Sequence, residues 1–138
     1  MAAALLTADT SVVVPFLAAW HPRHSALRDS MVPVTRLPGH VLAESMSSLT
    51  RMPSGFAVSA EWAAEALLNA FRGDPLVLAG EDYRALVEIL GDYRVTGGAV
   101  YDALVATTAK LADARLLTRD RRAERTYRSI GVDYELLD

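Results

Sequence analysis

Four carboxylates stand at places in the chain where a charged residue is locally unfavourable. Asp9 follows the apolar run LLTA, and Asp120 comes shortly after the run LLT. Glu44 lies inside HVLAES and Asp102 inside VYDALVA, so both have apolar neighbours. Two carboxylates about 4 Å apart repel by ~4 kcal/mol at an effective dielectric constant of ~20, so three or four of them cannot all remain ionised in one cleft without a counterion.

A divalent cation is the counterion that this set of ligands would select. The chain has no cysteine and only three histidines, and all-oxygen ligation favours a hard ion, Mg²⁺ or Mn²⁺. Such an ion can polarise a phosphoryl oxygen and generate hydroxide for in-line attack. Phosphodiester hydrolysis is therefore the predicted chemistry.

Each acid taken alone also has a structural role open to it. Asp9 and Asp120 could each cap a following helix, and Asp102 could lie favourably near a helix N-terminus. The combination favours a site, because two acids follow apolar strands and two lie early in helices that a parallel sheet can bring to the same edge. Other acids, such as Glu88 and Asp92, occupy positions typical of a solvated helix face.

Short apolar strands alternate with helices along the chain and must position these acids. LLTA, followed by the β-branched SVVV, is predicted to be a buried strand meeting a turn; the further predicted strands are MVPV, LVLA, RLLT and VDYELL. The predicted helices are HSALRDSM, HVLAESMSSLTRM, SAEWAAEALLNAF, EDYRALVEILGDY, GGAVYDALVATTAKLADA and RRAERTYRSIG. This alternation predicts a three-layer α/β/α fold with a central parallel sheet, whose site lies beyond the carboxyl ends of the strands.

Length and composition limit the classes of protein that remain. With 138 residues, 51% of them hydrophobic, we expect a single domain over residues 1–138. The absence of cysteine excludes a disulfide scaffold, a thiolate zinc site and a cysteine nucleophile. The run SVVVPFLAAW is shorter than the ~20 apolar residues that cross a bilayer, so we expect a cytoplasmic protein without membrane contact.

The ordered set of acidic segments resembles a known family. The segments TADTS, HVLAES with Glu44, GGAVYDALVA and LLTRD are similar to the four acidic motifs of the PIN-domain ribonucleases, specifically the VapC-type toxins of bacterial toxin–antitoxin pairs. The resemblance extends from about Leu5 to Leu137. It implies a PIN fold, Mg²⁺-dependent endoribonuclease activity with RNA as substrate, inhibition by a cognate antitoxin, and a homodimer.

The resemblance also implies roles for individual residues. Three of the acids would hold the metal ion, namely Asp9, Asp102 and Asp120. Glu44 would complete the catalytic set, directly or through water. Ser11 and Thr118 match hydroxyl positions that orient carboxylates or phosphate in that family.

A basic strip flanks the predicted site. Between Arg115 and Arg128, six arginines accompany two acids, so the segment carries a local charge of +4 although the whole chain carries −3. Because arginine binds phosphate bidentately, we predict that Arg119, Arg121 and Arg122 contact RNA. A solvated helix face or an antitoxin contact would account for each single arginine equally well.

Apolar and aromatic residues outside the acidic segments suggest contacts with another protein. SVVVPFLAAWHPRHSAL and AEWAAEALL are apolar enough to form an interface with an antitoxin or with a second copy of the chain. We expect Phe71 to pack in the core. The three histidines, His21, His24 and His40, are expected at the surface without a catalytic role.

Two other classes of protein share part of this pattern. A non-catalytic PIN-like or receiver-like module could hold Mg²⁺ for regulation, but a receiver should have paired acids after its first strand, whereas Asp9 has no acidic neighbour and Lys110 lies in a helix before LLTRD. A phosphatase with an Asp-x-Asp nucleophile is not favoured, because Asp9 is followed by Thr10 and Ser11.

Overall fold

The computed structural model describes residues 4–53 and 55–138, which alternate strands with helices. The first part of the chain contains β1 (Leu5–Ala8), α1 (Thr10–Leu17), α2 (His24–Met31), α3 (Gly39–Thr50), α4 (Ala60–Ala70), α5 (Gly80–Asp92) and α6 (Ala99–Leu111). The last part contains β2 (Ala114–Thr118), a 3₁₀ turn (Arg121–Ala123), α7 (Glu124–Ile130) and β3 (Tyr134–Leu136). Within the described ranges, no helix combines the length and the apolar character that a membrane crossing requires.

The strands form a parallel sheet in the order β1-β2-β3. β1 pairs with β2 from Leu5 opposite Ala114 to Ala8 opposite Leu117. The two strands therefore end at the same edge of the sheet, and Asp9 and Asp120 follow them there. Helices flank the sheet, with α1 and α6 both contacting β2. The predicted three-layer α/β/α fold is confirmed.

The face of α6 that packs inward is made of small residues. Ala103, Ala106 and Ala109 are fully buried at helical spacing, which lets the helix approach its neighbours closely. Asp102 immediately precedes Ala103, the first of these buried alanines, and so lies at the edge of the buried face of α6. Phe71 is 5% exposed and packs in the core, as predicted.

The turn predicted after the first strand is instead the start of a helix. Asp9 accepts a hydrogen bond from the backbone N–H of Ser11 and so caps α1. Val12 and Val13 are fully buried against the core. N-terminal capping and burial together outweigh the preference of the β-branched SVVV for extended structure.

Two predicted strands, MVPV and LVLA, are wrong. Met31 ends α2, and the Val32 N–H still donates to the Arg28 carbonyl, so the start of MVPV is helical. In LVLA only Leu76 forms a bridge, parallel to Pro38. Because α3 begins one residue after Pro38, at Gly39, the partner segment ends before a ladder can develop.

Candidate active site

The four predicted acids line one pocket at the carboxyl edge of the sheet. Asp9 comes from the end of β1, Glu44 from α3, Asp102 from the first turn of α6, and Asp120 from the segment after β2. The pocket has a volume of about 130 Å³, and its remaining lining residues are Thr10, Ser11, Tyr101, Val105 and Tyr127. Segments far apart in the chain thus bring the acids together, as the parallel sheet predicts.

Asp9 is buried, and both of its carboxylate oxygens accept hydrogen bonds. Oδ1 accepts from the Ser11 backbone N–H at 3.1 Å and from the Ser11 hydroxyl at 2.5 Å. Oδ2 accepts from the Tyr127 hydroxyl at 2.7 Å. Burial raises the pKa of Asp9, and these hydrogen bonds oppose that rise. The protein thus fixes the orientation of this carboxylate.

Ser11 and Thr118 link the ends of β1 and β2. The Ser11 hydroxyl accepts from the Arg119 backbone N–H at 2.8 Å and lies 3.4 Å from the Thr118 hydroxyl. Thr118 is fully buried, and its hydroxyl accepts from the Asp120 backbone N–H at 3.1 Å. The two predicted hydroxyls therefore stand between Asp9 and the segment that carries Asp120.

Asp102 is partly buried and has acidic neighbours. Desolvation, followed by the negative charges of Asp120, Asp9 and Glu44, raises the pKa of its carboxyl to about 6. Arg122 lowers the same pKa and only partly compensates. The pocket therefore has an excess of negative charge at neutral pH.

Glu44 projects from the first half of α3 and remains partly exposed. Its Oε1 accepts a hydrogen bond from the Thr10 hydroxyl, which comes from the first position of α1. The Nε2 atom of His40, one helical turn earlier, lies 3.7 Å from the other oxygen, Oε2. Glu44 is thus oriented from two elements while keeping access to the pocket.

The basic strip places its arginines unevenly around the pocket. Arg122 is almost fully exposed and lies 3.6 Å from Asp120, whose Oδ1 also accepts from the Arg122 backbone N–H. Arg121 is exposed in the same 3₁₀ turn. The Arg119 side chain instead turns toward the Asp138 carbonyl, to which its Nε donates at 3.2 Å. Of the three predicted RNA contacts, Arg122 lies nearest the acids.

The donor chemistry of the pocket fits a hard divalent cation. Its candidate ligands are carboxylate oxygens whose mutual repulsion a cation would relieve. Across residues 4–53 and 55–138, no three His, Asp or Glu side chains are grouped closely enough to form a ready-made metal cluster. Mg²⁺ keeps several of its waters and needs only one or two direct carboxylate ligands, so water-mediated contacts are compatible with this spacing.

Tyr127 is a member of the site that the sequence did not reveal. It is 1% exposed, and its hydroxyl donates to Asp9. It lies in a segment rich in arginine, which suggests a solvated helix. The informative signal is the spacing of Ala123, Tyr127 and Ile130, because a tyrosine on a buried helical stripe needs a partner for its hydroxyl.

All three histidines are partly exposed, in keeping with the expected surface positions, but single ring nitrogens of two of them are buried. The Nδ1 of His24 and the Nε2 of His40 are buried and have no hydrogen-bond partner among the described residues. His24 packs its ring against Phe16 at a centroid distance of 6.4 Å. His40 lies beside Glu44, a neighbour that its i,i+4 spacing could have indicated.

Three exposed aromatic rings adjoin one another away from the acidic pocket, and we call Trp20, Phe56 and Trp62 the aromatic surface. Their exposed fractions are 39%, 50% and 41%. The Trp20 ring lies 6.4 Å from that of Phe56 and 6.3 Å from that of Trp62, measured between centroids. Trp20 and Trp62 belong to the two apolar segments in which we expected a protein interface.

Comparison with known proteins assigns the class. The PIN domain family model matches residues 7–129, and the chain therefore belongs to the PIN-domain family. Within that family it is of the VapC type. It is 39% identical over 133 residues to ribonuclease VapC40 of Mycobacterium tuberculosis, covering 96% of this chain and 99% of that protein. It is also 41% identical over 133 residues to ribonuclease VapC27 of the same species, covering 92% and 93%.

A solved structure shows the same fold. A chain in the structure of FitAB bound to an IR36 DNA fragment aligns with a TM-score of 0.70 over 96% of this chain and 94% of that one. The two sequences are 22% identical, so this likeness concerns the fold alone.

Proposed function

We propose that this chain, as a single PIN domain, is a Mg²⁺-dependent endoribonuclease and the toxin of a toxin–antitoxin pair, with Mn²⁺ able to replace Mg²⁺. The observation that carries the proposal is the convergence of four carboxylates on one pocket, with the pKa of Asp102 raised to about 6. The relatives named ribonuclease VapC40 and VapC27 support RNA as the substrate.

The bound cation would polarise a phosphoryl oxygen and make an attacking water more acidic. Asp9, Asp102 and Asp120 would hold it, partly through water. Ser11 keeps Asp9 oriented, and Glu44, which accepts a hydrogen bond from Thr10, would accept a proton from the attacking water. These roles follow from which side chains the protein already orients and which it leaves open to the pocket.

Arginine would hold the RNA backbone beside the acids. Arg122 has an almost fully exposed side chain next to Asp120, so its guanidinium can reach a phosphate at the mouth of the pocket. Arg121 lies beside it and is also exposed. Arg119 would have to leave the Asp138 carbonyl to take part. We therefore assign the main phosphate contact to Arg122 and supporting contacts to Arg121 and Arg119.

The partners that we propose are a cognate antitoxin and a second copy of the chain, in the cytoplasm. Exposed, contiguous aromatic rings are typical of protein interfaces, because they bury a large apolar area at low entropic cost. The aromatic surface offers three such rings outside the catalytic pocket. An antitoxin could bind the aromatic surface without contacting the four acids of the pocket.

A cleavage assay tests the proposed activity. Purified protein should cut RNA in the presence of Mg²⁺ or Mn²⁺, and EDTA should abolish cutting. Asp9→Asn should lower the rate at least about 100-fold, because it removes one charge of the metal site. Glu88→Gln, an exposed acid on α5, is the matched control and should cut normally.

The outcome also separates the two classes of function. Cutting by Asp9→Asn at the rate of the unchanged protein would contradict the proposed site. Binding of Mg²⁺ without any cutting would support the non-catalytic regulatory module instead.

A further inference from the structure

A half-exposed aromatic ring lines the acidic pocket. Tyr101 lines the pocket and is 54% exposed. It precedes Asp102 in the first turn of α6, so the Cα atoms of the two residues are about 3.8 Å apart. The Tyr101 ring and the acids therefore line the same pocket.

The ring is held in place by His40. The imidazole stacks on the phenol face to face, with a centroid distance of 5.2 Å and an interplanar angle of 4°. His40 is itself confined, because its Nε2 is buried and lies 3.7 Å from the Glu44 carboxylate. Stacking between residues of α3 and α6 thus orients this aromatic plane.

A pre-oriented, exposed aromatic plane next to a phosphodiester-cleaving centre suits a nucleobase. Stacking on an aromatic side chain tolerates any base, because every base has a π face, and it is a main source of affinity for single-stranded nucleic acid. A base that is paired and stacked within a helix does not present that face, whereas an unpaired base does. The position of Tyr101 therefore selects for an unpaired nucleotide.

We propose that Tyr101, supported by His40, is a stacking platform for an unpaired base beside the scissile phosphate. This inference rests on the proposed ribonuclease function. It assigns Tyr101 to substrate binding and His40 to positioning the Tyr101 ring. Arg122 on the 3₁₀ turn would hold the backbone while the platform holds the base.

Binding measurements in EDTA test the platform separately from cleavage. The probe is an unstructured oligoribonucleotide that carries the fluorescent base 2-aminopurine at one position, moved along the strand from one oligonucleotide to the next. A base that stacks on Tyr101 should lose fluorescence on binding. Tyr101→Leu keeps the apolar bulk but not the flat ring, and should weaken binding about 10-fold and remove the quenching.

Three companion measurements locate the effect. Tyr101→Phe should restore both affinity and quenching, because it restores the ring. Tyr83→Leu removes a comparably exposed tyrosine on α5, away from the pocket, and should change neither. The same oligonucleotide in a perfect duplex should bind more weakly and should be insensitive to Tyr101→Leu.

His40 requires its own readout. His40→Ala should reduce quenching, and His40→Phe should restore it, because phenylalanine can stack on Tyr101 but cannot interact with Glu44 through a nitrogen. Failure of the phenylalanine variant to restore quenching would contradict the positioning role.

The same measurements separate base stacking from a general loss of RNA affinity. Equal single-strand affinity and quenching in Tyr101→Leu and the unchanged protein would overturn the platform, even if the protein cuts RNA. An equal loss of single-strand and duplex binding would overturn it as well. Ring-dependent stacking without cleavage would instead leave the platform standing and contradict the proposed nuclease.

Discussion

The two sides of the acidic pocket are built differently. On the side formed by the ends of β1 and β2, Asp9 is 6% exposed and receives hydrogen bonds from Ser11 and Tyr127 on both oxygens. On the side formed by α3, α6 and the 3₁₀ turn, Asp102 is partly buried, and desolvation together with the neighbouring acids raises its pKa. The protein supplies hydrogen-bond donors to both oxygens of the first carboxylate, whereas the acids on the second side repel one another, and the cation that we propose would relieve this repulsion.

This difference indicates how the proposed metal site could stay folded without a bound cation. A buried carboxylate with donors on both oxygens is held in one orientation, and its hydrogen bonds recover part of the hydration that burial removes. Acids that repel one another reduce stability until a cation binds, so that binding and folding are coupled. The side of the pocket that carries Asp9 therefore holds the pocket in shape while the acids around Asp102 repel one another.

The largest effect on stability should come from the side of the pocket that carries Asp9. Tyr127→Phe removes the donor to Asp9 Oδ2 and leaves a buried carboxylate oxygen without that partner. We expect the free energy of unfolding to fall by about 2 kcal/mol, measured by urea denaturation without metal. Tyr134→Phe is the control, because its hydroxyl donates to Glu124 at 3.0 Å in a less buried setting and should matter less. An equal fall in the free energy of unfolding of Tyr127→Phe and Tyr134→Phe would contradict the special role of the hydrogen bond to Asp9.

A smaller effect of opposite sign should come from the side of the pocket that carries Asp102. Asp102→Asn keeps the size of the side chain but removes its charge, so it relieves both desolvation and repulsion. At about pH 8 without metal we expect stabilisation by ~1 kcal/mol, a value reduced from the pKa shift because the group is partly exposed. Saturating Mg²⁺ should reverse the order, since it binds more tightly to the protein with the intact site and stabilises that protein more. Destabilisation by Asp102→Asn without metal would contradict the repulsion.

The smallest effect is the pH dependence of the difference in stability between the unchanged protein and Asp102→Asn. The pKa of Asp102 is raised from 3.8 to about 6, so the folded state holds the proton more tightly than the unfolded state. Its contribution to stability is therefore complete below pH 3.8 and is lost as the pH rises through about 6. Denaturation curves of the unchanged protein and Asp102→Asn should coincide near pH 3.8 and separate above about pH 6. A separation that does not change with pH would exclude Asp102 as its cause.

The sequence revealed the fold where local and long-range preferences agree. LLTA and RLLT are apolar runs that end at polar residues, and both became paired strands that deliver Asp9 and Asp120 to one edge. MVPV failed because α2 extends through Met31, which is buried on its inward face. LVLA failed because its partner segment turns into α3. Neither reason can be read from the failing segment alone.

The acids of the candidate site could be predicted from the sequence, but the residues that hydrogen-bond to them could not. Four acids in apolar surroundings are conspicuous, because burial of a charge is costly. Tyr127 and Thr10 are ordinary residues in the sequence, and their roles depend on contacts that span 118 and 34 positions. The stack of His40 on Tyr101 likewise joins two helices that only the tertiary fold brings together.

Metal titration by calorimetry tests most directly whether the four carboxylates together require a divalent cation. We predict that Mn²⁺ at about pH 7.5 binds saturably to the unchanged protein and to Glu88→Gln, and at least about 10-fold more weakly to Asp102→Asn. The same affinity in all three proteins, or no saturable binding to any of them, would contradict a shared cation at the acidic pocket.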